Sequence, residues 1–541
     1  MDRHRPALID APPRWLRPAL LVVSVAFLAL FYAWPVGTLL AQVADRSAIS
    51  KVFGREALRQ VVWFTCWQAV VSTAATLVVG LGPAYLLARW GFPGRRLLVA
   101  VVTVPFLLPT VVVGAAFSAL LPDAWLGTAS AVIIAHVFFN VAVVVRLVGT
   151  VWSQLPPDLV HAARTLGATP WQATREVTLP LLRPSITAAA MITFLFTFTS
   201  FGVVQILGGP AHATIEVEIA RRATQLGDVG GAAVLSVLQL LILALLLVVA
   251  GRTRRSTEVP LRRVERLRPR TVRTRLGVTA AVVATAALMA APLVALVTSS
   301  LRPGGQWSLT AWRTLGNDRG VRPGAALGVD PLASIATSLR FAVVATVISV
   351  VVGALASLAI AGARRRGRLL DVGVMLPLGT SAVTIGFGML ITFDHAPVDW
   401  RGAWWLVPLG HSLVAVPFVV RAVLPVLRAR PEAWLDAAAT LGASPLRRWW
   451  EIDVRLIRRP LVTGAGFAAA ISLGEFGATT FLTRTGNETL PIAIGRLLGR
   501  AGDIPRAQAS ALSVVLAAVT VAVLIAVDAV GDSGRDRSGS R

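Results

Sequence analysis

Two apolar stretches decide the fold: ASAVIIAHVFFNVAVVVRLVGTV at Ala129–Val151 and AWWLVPLGHSLVAVPFVVRAVLPVL at Ala403–Leu427. Each is long enough, at 1.5 Å per helical residue, to cross about 30 Å of hydrocarbon as one helix. Each contains a single histidine, and His136 and His411 lie 275 residues apart. The two stretches therefore predict membrane-spanning helices and, at the same time, an internal repeat.

The repeat extends along the chain at unlike residue types. Pairs at the offset of 275 are His136 with His411, Arg146 with Arg421, Gly167 with Gly442, Phe201-Gly202 with Phe476-Gly477, and Thr214 with Thr489; Pro105 with Pro377 and Gly114 with Gly386 follow an offset of 272. Charged residues, histidines and glycines in register indicate duplication and fusion. Both copies begin on the same side of the membrane, so an axis along the membrane normal would relate them and leave a central pathway.

Twelve apolar stretches of spanning length occur in the 541 residues, of which 55% are hydrophobic. They are 19–42, 61–87, 97–121, 129–151, 185–208, 231–250, 276–299, 339–361, 369–393, 403–427, 461–482 and 507–530. We predict an all-α polytopic membrane protein with about twelve transmembrane helices in two tandem six-helix units. The first unit covers residues 1–251, a basic linker 252–275, and the second unit 276–541.

The formal net charge of +25 comes almost wholly from arginine and, in a soluble protein, would suggest a nucleic-acid partner. Here the arginines gather in alternate loops, which predicts that these loops and both termini lie in the cytoplasm and that nucleic acid is not a partner. Arginines at 302–322 and 484–506 are exceptions in outer loops. The first stretch could also be a secretory signal, but it is long and lacks a convincing cleavage site, so we expect a retained helix.

Two polar loops follow the quoted stretches and match each other. They read PPDLVHAARTLGATPWQATREVTLPLLRP at 156–184 and RPEAWLDAAATLGASPLRRWWEIDVRLIRRP at 430–460. Each predicts a short helix, a break and a second short helix: Gly167 and Gly442 suit a C′ position with positive φ. Thr169-Pro170 and Ser444-Pro445 suit an N-cap followed by proline at N1.

Apolar residues form a stripe on the first short helix of each loop. They are Leu159, Ala162, Ala163 and Leu166, and in the second loop Leu435, Ala438, Ala439 and Leu441. A stripe of this kind must pack against something. For an arbitrary amphipathic loop, the membrane surface or the protein's own helices would be the usual choice.

The spacing within both loops resembles the EAA motif of binding-protein-dependent ABC transporter permeases. The matching residues are His161, Ala162, Ala163, Gly167, Leu179 and Pro180 in the first loop, and Asp436, Ala437, Ala438, Gly442 and Ile452 in the second. His161 and Asp436 stand where the family usually has glutamate, and Val454-Arg455 where it has Leu-Pro. These departures leave open whether the two loops engage their partners equally.

The resemblance implies a bacterial inner-membrane permease without catalytic residues of its own. Two copies of an ABC ATPase would dock on the loops and bind ATP and Mg²⁺, and a periplasmic or lipid-anchored binding protein would deliver the solute. Lys51, the only lysine, has no phosphate-binding glycine motif around it, so this chain is expected to bind no cofactor. Further strings, such as AHVFFN at 135–140, are similar to bacterial thiamine permeases, with ferric iron permeases next.

Polar residues inside the predicted spans are candidates for the substrate path or gate. They are Glu475, Ser200, Thr197 and Gln205, with Phe201 and Phe476 beside them. Glu475 could instead pair with an arginine such as Arg421, and the threonines could bridge helices. His136 and His411 favour helix-to-helix hydrogen bonds over a metal site, since no carboxylate or cysteine stands at ligand spacing and Cys66 is the only cysteine.

Two other classes of protein remain as alternatives. A proton-coupled secondary transporter can also have twelve spans in two parallel halves, but it has no need of two matched cytoplasmic loops. A membrane enzyme would need a cluster of acids, bases or metal ligands near one interface, and the sequence offers none.

Overall fold

The computed structural model describes residues 16–43, 56–253, 266–315, 330–362, 364–395 and 398–532. Helix dominates these ranges, and the strands described there are a single antiparallel pair, Asp394–His395 with Val398–Asp399. The prediction of an all-α fold is therefore confirmed. Lys51, the first arginines and residues 254–265 of the linker lie outside the described residues.

The long helices follow the predicted spans in order. Those of the first half are Leu16–Leu28 continued by Ala29–Ala33 and Trp34–Val43 (span 1), Glu56–Arg89 (span 2), Arg95–Leu107 with Thr110–Leu120 (span 3), Ala129–Trp152 (span 4), Leu179–Phe198 (span 5) and Val229–Thr253 (span 6). Those of the second half are Val272–Leu301 (span 7), Pro331–Gly362 (span 8), Arg364–Met375 and Leu376–Gly379 with Ala382–Thr392 (span 9), Leu406–Arg428 (span 10), Arg458–Gly474 (span 11) and Asp503–Asp532 (span 12).

Short helices occupy the connections. They are Asp123–Trp125, Pro157–Thr165, Pro170–Ala173, Thr174–Thr178, Gly202–Leu207, Pro210–His212, Ile215–Arg221, Arg222–Leu226, Pro303–Gly305, Thr310–Arg313, Glu432–Thr440, Pro445–Arg448, Trp449–Val454, Gly477–Leu482 and Leu490–Leu498. Among the described residues, nine helices are long and apolar enough to cross a membrane, or twelve when each bent pair counts as one span. The predicted number of about twelve agrees with this upper figure.

Spans 3 and 9 are not the straight helices that their apolar stretches predicted. Their two arms meet at 106° and 99°. In span 3, Leu108 is extended (φ −74°, ψ 143°) because the residue before a proline, here Pro109, is held away from helical conformation. In span 9 the Ser381 hydroxyl accepts the N–H groups of Val383 and Thr384 and so starts the second arm. Hydropathy does not reveal either bend, because each bend lies within a predicted apolar stretch, 97–121 or 369–393.

Spans 5 and 11 end earlier than predicted. Continuous stretches were expected to Gly208 and to Leu482, but the helices end at Phe198 and Gly474. A short break follows each, and the chain then re-enters a helix at Gly202–Leu207 and Gly477–Leu482. Each short helix packs on the second arm of the bent span in its own unit. Gly386 permits this contact in span 9, since a Cβ there would lie 2.5 Å from Ala478 Cα.

Two compact units divide the chain differently from the predicted boundaries at 251 and 276. One unit comprises Arg46–Ala325 with Ile494–Ala517, and the other Met1–Asp45, Ala326–Ala493 and Ala518–Arg541. From here on, these two sets of residues are called the first and second units, in place of the predicted ranges 1–251 and 276–541. Span 1 thus packs with spans of the second half: Tyr32 Oη lies 2.6 Å from Thr380 Oγ1, and the Phe31 and Phe393 rings are 6.1 Å apart. Span 7 packs with spans 2 and 3 of the first half.

Candidate functional site

The first polar loop stops and restarts its helices as predicted. Helix Pro157–Thr165 is closed by the pair of bonds typical of a Schellman motif: Ala168 N donates to Ala163 O and Gly167 N to Arg164 O, both at 3.1 Å. Gly167 has φ +92°, which an L-residue with a side chain adopts only under strain. Thr169 then caps helix Pro170–Ala173 through a reciprocal bond with Gln172.

The second polar loop repeats this geometry. Helix Glu432–Thr440 ends with Ala443 N donating to Ala438 O and Gly442 N to Ala439 O, both at 2.9 Å, and Gly442 has φ +78°. The Ser444 hydroxyl accepts the Arg447 N–H at 3.3 Å and caps the next helix. The predicted positive φ values and N-caps are therefore confirmed in both loops. Because the resemblance described above implies that these loops dock on an ATPase, we refer to Pro157–Thr165 and Glu432–Thr440 as the two coupling helices.

The apolar stripes point away from the rest of the chain more than toward it. Leu166 is 89% exposed and Leu441 87% exposed, at equivalent positions just after the coupling helices. Leu159 is also exposed, whereas Leu435 is buried, so the two stripes are not identical. Further exposed apolar side chains on the same loops are Trp171, Trp434, Leu446 and Trp450. An exposed apolar surface of this kind is suited to contact with another protein.

The other motif residues lie on the same loops with graded exposure. Those exposed to solvent are His161, Ala162, Pro180, Asp436 and Ala437, and those half-buried are Ala163, Leu179, Ala438 and Ile452. Arg455, which stands where the first loop has Pro180, forms an ion pair with Glu451 at 2.8 Å. The polar residue and the first alanine of each motif are thus accessible, and the second alanine of each motif is half-buried.

A buried histidine anchors the break after span 5. His136 Nε2 lies 2.8 Å from Ser200 Oγ, and His136 Nδ1 lies 3.3 Å from Ser72 Oγ of span 2. Both His136 and Ser200 are buried. The imidazole therefore joins spans 2 and 4 to the break, as expected for helix-to-helix hydrogen bonding.

His411 makes the equivalent connection after span 11. Its Nδ1 lies 2.8 Å from Ser472 Oγ, its Nε2 lies 2.8 Å from Thr479 Oγ1, and Glu475 Oε2 is 3.5 Å from Nε2. Glu475 stands where the first unit has Ser200. The predicted register of the repeat thus places a histidine against the break in both units, although its partners differ.

Glu475 caps the short helix that follows the break. Its two carboxylate oxygens accept the backbone N–H groups of Ala478 and Thr479, both at 2.9 Å, and the Thr479 hydroxyl at 2.6 Å. A carboxylate is favoured there because the first N–H groups of a helix have no partner within it. The alternative pairing with Arg421 is wrong: the exposed Arg421 side chain donates to Met375 Sδ at 3.3 Å.

The remaining pathway candidates separate into buried and exposed residues. Phe201 and Phe476 are buried at the breaks, and Gln205 is exposed. Thr197 is buried and bridges helices, since its carbonyl accepts the Gln68 amide at 2.9 Å and its hydroxyl also reaches the carbonyl of Ala69 at 3.5 Å. The polar residues of span 5 were candidates either for the substrate path or for bonds between helices, and Thr197 makes bonds between helices.

One pair of anchors was missed in the sequence. Thr65 in span 2 accepts the Ile215 N–H at 2.9 Å, and Ser338 in span 8 accepts the Leu490 N–H at 2.7 Å. Each hydroxyl thus holds the first residue of a short helix, Ile215–Arg221 or Leu490–Leu498, in place. The signal was present but faint, because Thr65 and Ser338 are 273 residues apart and the repeat was traced at 272 and 275. Within the described ranges, no group of three or more metal-binding side chains occurs.

Comparison with known proteins agrees with this geometry. A family model described as binding-protein-dependent transport system inner membrane component matches residues 76–257 and 347–532, so it occurs twice. The thiamine transport system permease protein of Salmonella typhimurium is 26% identical over 520 residues, covering 90% of this chain and 92% of that protein. That of Brucella abortus is 28% identical over 510 residues, covering 88% and 89%.

A shorter relative resembles part of the chain only. The sulfate transport system permease protein of Escherichia coli is 33% identical over 205 residues, which is 34% of this chain and 73% of that protein. Because the family model matches both halves and more than half of the chain, this multi-pass membrane protein belongs to the family of binding-protein-dependent transport system inner membrane components, with two permease units fused in one chain.

Proposed function

We propose that this chain forms the translocation pathway of an ABC importer for thiamine and that each coupling helix docks on one copy of a separate ATPase subunit. The observation that carries the proposal is the matched pair of loops, each with a Schellman stop and a leucine almost fully exposed after it. ATP and Mg²⁺ would be bound by the ATPase. A binding protein would deliver the solute at the opposite face, and both termini would lie in the cytoplasm with the basic loops.

The two breaks support a placement for the gate. Non-helical backbone at membrane depth is tolerated where protein buries it or where it borders a cavity. The breaks at 199–201 and 475–476 carry Ser200, Phe201, Glu475 and Phe476, all of them buried. We place the gate of the pathway at these breaks, with Gln205 on the exposed side of its short helix and Thr197 holding span 5 to span 2.

The solute is proposed from the relatives' names. Proteins similar over nearly the full chain are described as thiamine transport system permeases. Thiamine is therefore the first solute to test, and ferric iron is the comparison in the same assay.

A charge placed on the exposed leucines tests ATPase docking. Leu166→Asp and Leu441→Asp together should leave folding and membrane insertion unchanged, because both side chains are exposed and surface substitutions usually change stability by less than about 0.5 kcal/mol. A carboxylate within an apolar contact of the ATPase would instead weaken docking; a loss of about 2 kcal/mol corresponds to roughly 30-fold in affinity. Leu166→Met and Leu441→Met provide the matched control.

The measurement is copurification of the ATPase and ATP-dependent uptake of labelled thiamine by proteoliposomes containing the permease, ATPase and binding protein. Full uptake by the aspartate variant would overturn the docking proposal. Uptake of ferric iron in place of thiamine would change the solute and keep the importer. Uptake that ignores ATP and collapses with the proton gradient would support a secondary transporter.

A further inference from the structure

The second coupling helix is enclosed by an ion pair between two residues that flank it. Arg430 lies two residues after the end of span 10, and Asp453 lies in the segment Trp449–Val454 that leads to span 11; the Arg430 Nη1 group contacts Asp453 Oδ1. The residues are 23 positions apart, and the whole coupling helix lies between them. The contact thus closes the base of the loop.

This ion pair is removed from solvent. The Asp453 side chain is 3% exposed and that of Arg430 is 18% exposed. A buried pair of this kind contributes little net stability compared with neutral residues of similar volume, because desolvation offsets the attraction between the charges. Its stabilising effect therefore does not explain why charges, and not apolar side chains, stand at these positions.

The first loop shows that the fold does not need the charges. The residues 275 positions earlier are Leu155 and Thr178, which are 5% and 8% exposed. Leu155 packs in an apolar cluster with Val148 and Leu182. The same helix, Schellman stop and capped second helix form around this neutral pair.

A second ion pair strengthens the contrast between the loops. Arg428, near the end of span 10, pairs with Asp371 of span 9 at 2.9 Å. Its counterpart in the first unit is Ser153, whose hydroxyl donates to Thr150 O in the preceding helical turn. The end of span 10 is thus held on two sides by charges, and the end of span 4 is not held in this way by the corresponding residues.

We propose that Arg430 and Asp453 are positioning residues that fasten the second coupling helix to spans 10 and 11, so that movement of the ATPase reaches both spans together. The inference rests on the proposed function. The charge-assisted hydrogen bond between these groups is directional, and separating the ends of the loop would leave two buried charges without partners, whereas displacing apolar contacts such as those of Leu155 leaves no charge unpaired. The second loop is then the stiffer link, and the first loop can tilt relative to its spans.

The test copies the neutral pair of the first loop into the second. Arg430→Leu with Asp453→Thr removes both charges together, so neither is left buried alone, and it introduces the residues found at the matched positions of the first loop. The full complex of permease, ATPase and binding protein is reconstituted in proteoliposomes. Thiamine taken up per ATP hydrolysed is then measured, and Arg401→Ala, which breaks an exposed pair with Asp394, is the control.

We expect the neutral pair to assemble normally and to transport at least about fivefold less thiamine per ATP, the lower end of ordinary coupling between sites. The reversed pair, Arg430→Asp with Asp453→Arg, should restore most of the wild-type ratio. An unchanged ratio in the neutral pair would overturn the proposal, as would equal ratios in the neutral and reversed pairs. If the neutral pair alone, or both pairs, fail to assemble, the contact serves folding and the proposal is also overturned. Wild-type complex without any ATP-dependent uptake would refute the proposed function instead.

Discussion

Replacing both loop glycines by valine should uncouple the permease from its ATPase. Gly167 and Gly442 have φ of +92° and +78°, a region where a β-branched residue is strained. A Cβ at either position would meet no atom within 4 Å, so the cost is backbone strain without a steric clash. Strain of this kind costs about 1–3 kcal/mol per site, hence about 2–6 kcal/mol for the pair if the two loops respond independently.

That cost is large compared with the stability of the structures it affects. Each coupling helix has nine residues, a length at which an isolated helix is marginal in water. Both helices are exposed, and their ends are fixed by the Schellman bonds that depend on the glycine conformation. We therefore expect the loops to unwind locally while the spans stay folded.

The assay combines transport with a local probe of structure. ATP-dependent thiamine uptake should fall strongly, and trypsin should cut faster after Arg164 and Arg447, which lie in the exposed loops. Asparagine at both positions is the matched control, because it tolerates positive φ far better than valine. Uptake and proteolysis at wild-type rates in the valine variant would refute the reasoning, as would asparagine being as harmful as valine.

Four further substitutions test the anchors at the breaks and the exposed Arg421. His136→Ala should lower the melting temperature in detergent more than His411→Ala, because it leaves the buried Ser72 and Ser200 hydroxyls without a partner, whereas of the partners of His411 only Ser472 loses its bond and Thr479 still donates to Glu475, at about 1–3 kcal/mol per unsatisfied buried group; equal shifts would contradict this count. Glu475→Gln should reduce both melting temperature and uptake, since a neutral amide offers one acceptor oxygen to the two N–H groups that the carboxylate binds; unchanged values would count against the capping role. Arg421→Leu should leave the melting temperature within about 1 °C, given its exposed side chain and weak sulfur partner, and a large drop would revive its pairing with a buried acid.

Much of the helical framework followed from the sequence. Apolar length fixes which segments cross the bilayer, because every backbone group there must be bonded within its own helix. The ends and starts of the short helices in the two loops were also predictable from sequence. They depend on glycine, proline, threonine and serine at particular positions, and these local conformations are set by neighbouring residues alone. The histidines were also correctly expected to bond between helices, although their partners were not known.

Long-range contacts were out of reach of the same reasoning. The bends of spans 3 and 9 and the breaks of spans 5 and 11 occur within apolar stretches, where hydropathy is uniform. The sequence offers an arginine as a possible partner of the Glu475 carboxylate. The actual partners are backbone N–H groups three and four residues further on, which become available only because the helix ends at Gly474.

By itself, the sequence determined the order of the apolar spans, their repeat and the form of the coupling loops, because these depend on hydrophobic length and local backbone preference. The tertiary structure alone decided that span 1 packs with the second half and span 7 with the first. It also decided that Arg430 meets Asp453 while Leu155 and Thr178 take their places in the other loop. An apolar or charged side chain specifies the kind of partner it needs, and only the folded chain specifies which one it meets.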